Sequence, residues 1–121
     1  MNKEEIILKL AEMLLGGQQE KRDLLADFIG KKVLIRDHMA GVFVTTLTAV
    51  DGKMWTGAEG RKIHYWEGAG AVEGISAHGI DNKKSRVTAP VPVCNGRELV
   101  QLLPLTEDVY KLIMGAPVWN P

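Results

Sequence analysis

Val42-Phe43-Val44-Thr45-Thr46-Leu47-Thr48-Ala49-Val50-Asp51-Gly52-Lys53-Met54-Trp55-Thr56 decides the fold class of this chain. The residues before Asp51 are rich in β-branched side chains, which pack well on a pleated surface and lose rotamer freedom in a helix. Asp51-Gly52 is a hairpin signal, because a tight antiparallel connection needs positive φ and glycine adopts it without a Cβ clash. The chain therefore doubles back, and residues 53–56 return as the partner strand.

Working outward, residues 32–37 read as a preceding strand. His38-Met39-Ala40-Gly41 forms the tight connection into residues 42–50. After residues 53–56, residues 57–60 carry two glycines and are expected to turn again, and residues 61–66 form a further strand. The result is an antiparallel meander of three or four strands. Gly68-Ala69-Gly70 ends it. Residues 71–78 form a short helix with Val72 and Ile75 inward and Gly79 as its stop. Residues 81–85 are a polar loop. Residues 86–93 are extended, but Pro90 and Pro92 forbid a central-strand position. Cys94-Asn95-Gly96 is expected to turn, and residues 98–103 form a nearly continuous apolar strand, expected to be buried. Thr106 N-caps a last helix with Glu107 and Asp108 in its first turn, and Gly115 and Pro117 end it. The tail to Pro121 is expected to be loose.

Upstream, Ile6, Ile7, Leu10, Met13 and Leu14 recur at helical spacing. Gly16-Gly17 interrupts them, residues 18–29 resume the pattern, and Gly30 is a plausible stop. The fold class is thus α+β: N-terminal helices, a small antiparallel meander and a C-terminal helix. At 121 residues the chain is long enough for one domain and too short for two. It divides into a helical arm (1–30), an α+β ligand-binding core (31–113) and a tail (114–121). The N-terminal helices have few later helices to pack on, which makes another copy of the chain a natural cover.

Composition narrows the function classes. Fifteen basic and fifteen acidic residues cancel, which argues against a general nucleic-acid coat. Residues 82–97 nevertheless hold Lys83, Lys84, Arg86 and Arg97 and no acid, a local positive field suited to a small anion. The single Cys94 permits no intramolecular disulfide and reads as a reduced thiol. Residues 1–5 show no signal-peptide pattern, and no apolar run approaches the roughly 20 residues that span a bilayer. A cytosolic protein is expected.

No zinc pattern, nucleophile elbow, phosphate loop or dinucleotide-binding glycine motif is present in the sequence. Asp37-His38 reads as a strand end rather than a dyad, because adjacent strand residues point to opposite faces. Glu59, Glu67 and Glu73 read as surface carboxylates. No catalytic residue, metal ligand or cofactor is assigned. What remains is Arg61-Lys62-Ile63-His64-Tyr65-Trp66, with Arg36 and Arg86 in reach. Arginine matches phosphate oxygens with a planar fork, and an aromatic ring stacks on a base for roughly 1–3 kcal/mol. Alternation puts Arg61 and Tyr65 on one face and Lys62, His64 and Trp66 on the other. Equally, Tyr65 and Trp66 would serve as core residues beside a solvated strand edge, and Trp55 and Phe43 read as packing residues.

These segments resemble a known family. Val33-Leu34-Ile35-Arg36 through Met39-Ala40-Gly41-Val42, then Arg61-Lys62-Ile63-His64-Tyr65-Trp66-Glu67-Gly68-Ala69, are similar to the phage Thoeris anti-defence sponge proteins of the first type. Ile75-Ser76-Ala77-His78-Gly79-Ile80 and Glu98-Leu99-Val100-Gln101-Leu102-Leu103-Pro104-Leu105-Thr106-Glu107 follow in the same order. The resemblance covers residues 31–113. Departures fall at His38-Met39, where an aromatic and a small polar residue are expected, at Lys62 for arginine and at His64 for tryptophan.

The resemblance implies a protein that sequesters cyclic ADP-ribose isomers (glycocyclic ADP-ribose) made by TIR-domain immune enzymes, without cleaving them. It implies residence in the cytoplasm of the infected bacterium. It also implies homodimers with pockets at the subunit interface, some assembling into hexamers that hold cyclic oligonucleotides at separate sites. Neither a membrane nor polymeric nucleic acid is an expected partner. The expected ligand contacts are Arg36, His38, Met39, Arg61, Lys62, Tyr65, Trp66 and Arg86. Arg61→Ala is expected to weaken binding and leave folding little changed. The rival readings are a small phosphodiesterase acting on cyclic nucleotides and a phage structural or RNA-binding module.

Overall fold

A computed structural model describes residues 2–8 and 23–120 of the chain. The fold is α+β, built on a six-stranded antiparallel sheet. In chain order the elements are β1 (Lys32–Asp37), β2 (Gly41–Asp51), β3 (Met54–Tyr65), α1 (Val72–His78), β4 (Arg86–Val87), β5 (Val91–Gly96), β6 (Leu99–Pro104) and α2 (Glu107–Met114). A 3-10 turn over Leu24–Phe28 precedes them, and residues 3–8 are helical with Ile6, Ile7 and Leu8 exposed. The rest of the helical arm expected from the sequence, including the Gly16-Gly17 break, lies outside the described residues. Where residues 18–29 were expected to be α-helical, the described end of that run is the 3-10 turn, whose Asp23 caps the Leu25 amide.

The decisive hairpin forms as its residues dictate. Asp51 pairs with Met54 across a two-residue loop in which Gly52 takes φ 58°. The strand order is β4-β3-β2-β1-β6, and β5 pairs with β3 on the same side as β4. β5 and β6 thus lie on opposite edges of the sheet, yet only Arg97 and Glu98 join them. The sheet must curl until its edges meet, and the Leu99 amide closes the gap by donating to Lys53 O at 3.0 Å.

Curling gives the sheet two buried faces. Inside the curl lie Val33, Ile35, Leu47, Trp55, Cys94 and Leu99, with Phe43 edge-on to Trp55 at 5.3 Å. On the outer face Leu34, Val42, Val44, Ile63 and Val87 pack against Val72 and Ile75 of α1 and Val109, Tyr110 and Ile113 of α2. Val33, Leu34 and Ile35 are consecutive and all fully buried. That is why β1 reads as an unbroken apolar run and not as an alternation. Each such side chain contributes about 1.5–3 kcal/mol of burial.

Four local expectations are corrected. Residues 57–60 do not turn, because β3 runs through them, bulged at Glu59 with φ 54°. Their glycines answer to neighbours across the sheet: a Cβ on Gly57 would strike the Thr45 side chain, and one on Gly60 would strike Cys94 Sγ. Cys94-Asn95-Gly96 is not a turn but the end of β5, with Cys94 directed inward and the turn displaced to Arg97 and Glu98. β6 is an edge strand on β1, so only Leu99 of the expected buried run is buried and Val100 is half exposed. The tail is not loose. Val118 bridges Val87, and the Trp119 amide donates to Val87 O at 2.9 Å.

Candidate functional site

Register gathers most of the expected contact residues at one end of the sheet. There β1 ends at Asp37, β2 begins at Gly41 and β3 ends at Tyr65, which pairs with Arg86. Val42 pairs with Ile63, so the β1–β2 turn lies alongside the last residues of β3. His38 and Met39 sit on that turn, both exposed, Met39 at 77%. The Lys62 side chain lies over Gly41, its Cε 2.8 Å from where a Cβ would stand. Arg36, on the adjoining β1, is exposed and exerts a charge effect on Glu73, whose carboxylate accepts from Gln101 Nε2 at 3.0 Å.

The aromatic part of the site is set by a bulge. Ile63 pairs with Val87 but Tyr65 with Arg86, so His64 is an extra residue on β3. The alternation that buries Arg61 and Ile63 is broken there, and Tyr65 emerges 42% exposed. The Arg86 guanidinium carbon stands 5.4 Å from the Tyr65 ring centroid and 5.5 Å from that of Trp119. The Trp119 indole lies nearly parallel to the His64 imidazole, centroids 4.7 Å apart and planes 10° apart. Among the described residues the Arg86 fork donates to no protein acceptor. A guanidinium held by ring faces keeps its N–H edges free for an anion.

Two expected contacts are engaged elsewhere. Arg61 is 1% exposed, and every guanidinium nitrogen donates to a backbone carbonyl. Nε reaches Thr88 O at 2.8 Å; Nη1 reaches Ile113 O, Met114 O and Ala116 O at 3.1, 3.0 and 2.6 Å; Nη2 reaches Val87 O at 3.4 Å. The last carbonyls of α2 lack helical partners and carry the negative end of its dipole, so the cation caps that end. Burial draws the guanidinium pKa down from its ordinary value. Arg61 is therefore a fastener of β3, β4, α2 and the tail, and the expectation that Arg61→Ala spares folding is corrected. Trp66 packs on the outer core and donates Nε1 to Gly70 O at 2.9 Å, which occupies its polar edge.

Three residues that matter here are not among the expected ligand contacts. Trp119 and His64 complete the ring cluster. The signal for Trp119 was available: a large apolar side chain beyond the last helix needs a surface to cover. The third is Asp37, 2% exposed. Its Oδ1 accepts from the amides of Met39 at 3.0 Å and Ala40 at 2.8 Å, and its Oδ2 from Trp55 Nε1 at 2.8 Å and the Glu98 amide at 3.0 Å. Burial pushes this carboxyl up, but the four hydrogen bonds to its charged form outweigh burial and bring it below its ordinary value. Asp37 thereby shapes the turn that carries His38 and Met39. Gly96 has no room for a side chain, since a Cβ would strike Asp37 Oδ2 and Trp55 Nε1.

A separate groove of about 380 Å³ lies at the opposite end of β2 and β3, lined by Val50, Asp51, Met54, Asn95 and Arg97 among others. None of the expected contact residues lines it. Among the described residues no three His, Cys, Asp or Glu side chains are grouped to hold a metal ion, and no helix is long and apolar enough to cross a membrane. No curated protein matches the chain. Residues 30–113 match the family described as Domain of unknown function (DUF6948), and the chain belongs to that family.

Proposed function

We propose that this DUF6948 protein captures a cyclic ADP-ribose isomer, such as glycocyclic ADP-ribose, and keeps it intact, so that a TIR-domain enzyme's signal never reaches a Thoeris effector. One observation carries the reading: an exposed arginine, Arg86, is held by the rings of Tyr65 and Trp119 with its hydrogen-bonding fork unused among the described residues. A pyrophosphate satisfies such a fork in the plane of the guanidinium, and adenine adds to neighbouring ring faces. Lys62, His38 and Met39 border the same end of the sheet, while Arg36 at the end of β1 acts on Glu73 of α1. The resemblance of the four ordered segments to those of the anti-defence sponges supports the same reading.

Asp37, Glu73 and Glu107 all have pKa values below the ordinary carboxylate value. Hydrogen bonds to Gln101 and Lys32 lower Glu73 and Glu107, and the four donors described above overcome burial at Asp37. The reading extends to an oligomer in the cytoplasm of an infected bacterium, with a second copy completing the pocket and cyclic oligonucleotides held elsewhere.

The test is recovery. Protein is mixed with glycocyclic ADP-ribose, separated with its cargo on a filter, and heated. Intact signal in the heated eluate, at a fixed ratio to protein, is the expected result; a linear or hydrolysed product overturns the reading. Arg86→Ala should weaken binding about 10- to 100-fold, the size of one or two charge-assisted hydrogen bonds, with an unchanged melting temperature.

A further inference from the structure

We infer that the C-terminal segment, residues 117–120, is a displaceable strap whose indole occupies the place of the ligand's purine. The inference rests on the reading that the Tyr65–Arg86 cluster is the ligand site, and it concerns how that site is regulated. Two surfaces there suit a purine nucleotide, the His64 ring face and the flank of Arg86, and Trp119 contacts both. Indole is a fused bicycle of purine size, and its near-parallel stack on His64 is the geometry a base would adopt.

The attachment of the segment changes abruptly along the chain. Up to Ala116 it is fastened: Ala116 is buried, its carbonyl accepts from Arg61, and its amide donates to Ile113 O at 3.1 Å. Pro117 has no amide hydrogen to give. Beyond it, among the described residues, the backbone attachment is one hydrogen bond, from the Trp119 amide to Val87 O, within a single isolated bridge, and Val118 is 45% exposed. Peeling the segment from Pro117 therefore leaves the Arg61 fastening intact and uncovers the imidazole and the guanidinium. A purine whose phosphate meets Arg86 takes the vacated place. The free protein is thereby self-occluded, and its apparent affinity is reduced by the fraction of molecules in which the strap is closed.

The experiment compares the full chain with a chain ended after Pro117 and, in case that chain folds poorly, with Trp119→Ala. Binding of glycocyclic ADP-ribose, ADP and UDP is measured by calorimetry, and hydrogen exchange at the Trp119 amide is followed with and without each compound. The shortened chain and Trp119→Ala are expected to bind the two adenine compounds about tenfold more tightly than the full chain. Glycocyclic ADP-ribose is expected to speed exchange at the Trp119 amide while the Tyr110 amide, inside α2, stays protected. If the full chain binds and both variants bind equally or more weakly, Trp119 is a fixed wall and the strap is overturned while the sponge reading stands. If UDP opens the strap as well as ADP does, the purine mimicry is overturned. If no adenine compound binds any of the three proteins, the sponge reading falls and the strap falls with it.

Discussion

Arg61 and Asp37 are opposite charges given similar treatment: each is taken out of water and held by neutral groups rather than by a counter-charge, Arg61 by backbone carbonyls and Asp37 by three backbone amides and the Trp55 indole. Removing Arg61 would leave the Thr88, Met114 and Ala116 carbonyls without a donor among the described residues, while Val87 O keeps the Trp119 amide and Ile113 O the Ala116 amide. Arg61→Ala should lower the unfolding free energy by about 3–5 kcal/mol, read in a denaturant titration. Arg61→Lys should recover part of that, since an ammonium keeps the charge but lacks the fork. For Asp37 the sign follows from its lowered pKa. The carboxylate stabilises the folded state fully above its ordinary 3.8, and the contribution is lost as pH falls through the lower folded-state value. Asp37→Asn turns an amide donor towards amide and indole donors. It should cost about 1–3 kcal/mol at neutral pH and flatten the loss of stability below about pH 4, both measurable by thermal melts across pH.

At the scale of elements, α2 was legible before any coordinates. Thr106 caps it, its Oγ accepting from the Val109 amide at 3.2 Å, with Glu107 and Asp108 in the first turn. Thr106→Ala should destabilise the protein by about 1 kcal/mol in equilibrium unfolding. The Asp51-Gly52 hairpin, the α1 boundary at Gly79 and the exclusion of Pro90 and Pro92 from a central strand were equally readable, because each depends on a few adjacent residues. Gly57 and Gly60 misled for the opposite reason. Glycine signals a turn only when its local freedom is what the chain needs, and here it is the bulk of Thr45 and Cys94, far away in sequence, that demands it. The site was half legible on the same grounds. Arg86 and Tyr65 meet as a cation and a ring, but a bulge at His64 decided which of Arg61 and Tyr65 reached the surface, and strict alternation cannot foresee a bulge.

For the molecule as a whole, one sheet serves two cores, the inner one closed by its own curl and the outer one by α1 and α2. The proposed sponge would act by stoichiometry. Titrating protein into a fixed amount of glycocyclic ADP-ribose should therefore remove free signal linearly until the binding sites match it, and then stop. Removal that continues with time at substoichiometric protein would mark an enzyme instead.

The Arg61 fastening also has a consequence for biosynthesis. Its acceptors belong to residues 87, 88, 113, 114 and 116, all of which leave the ribosome after Arg61 itself. The nascent polypeptide thus carries a cation whose acceptors have not yet emerged, and the third strand has reason to wait until residue 116 has been made. A chain ended before Ala116 would lack one of those acceptors together with the Val118 bridge and the Trp119 stack. Such a product should be cleared by cellular proteases much faster than one lacking only the final residues after Pro117.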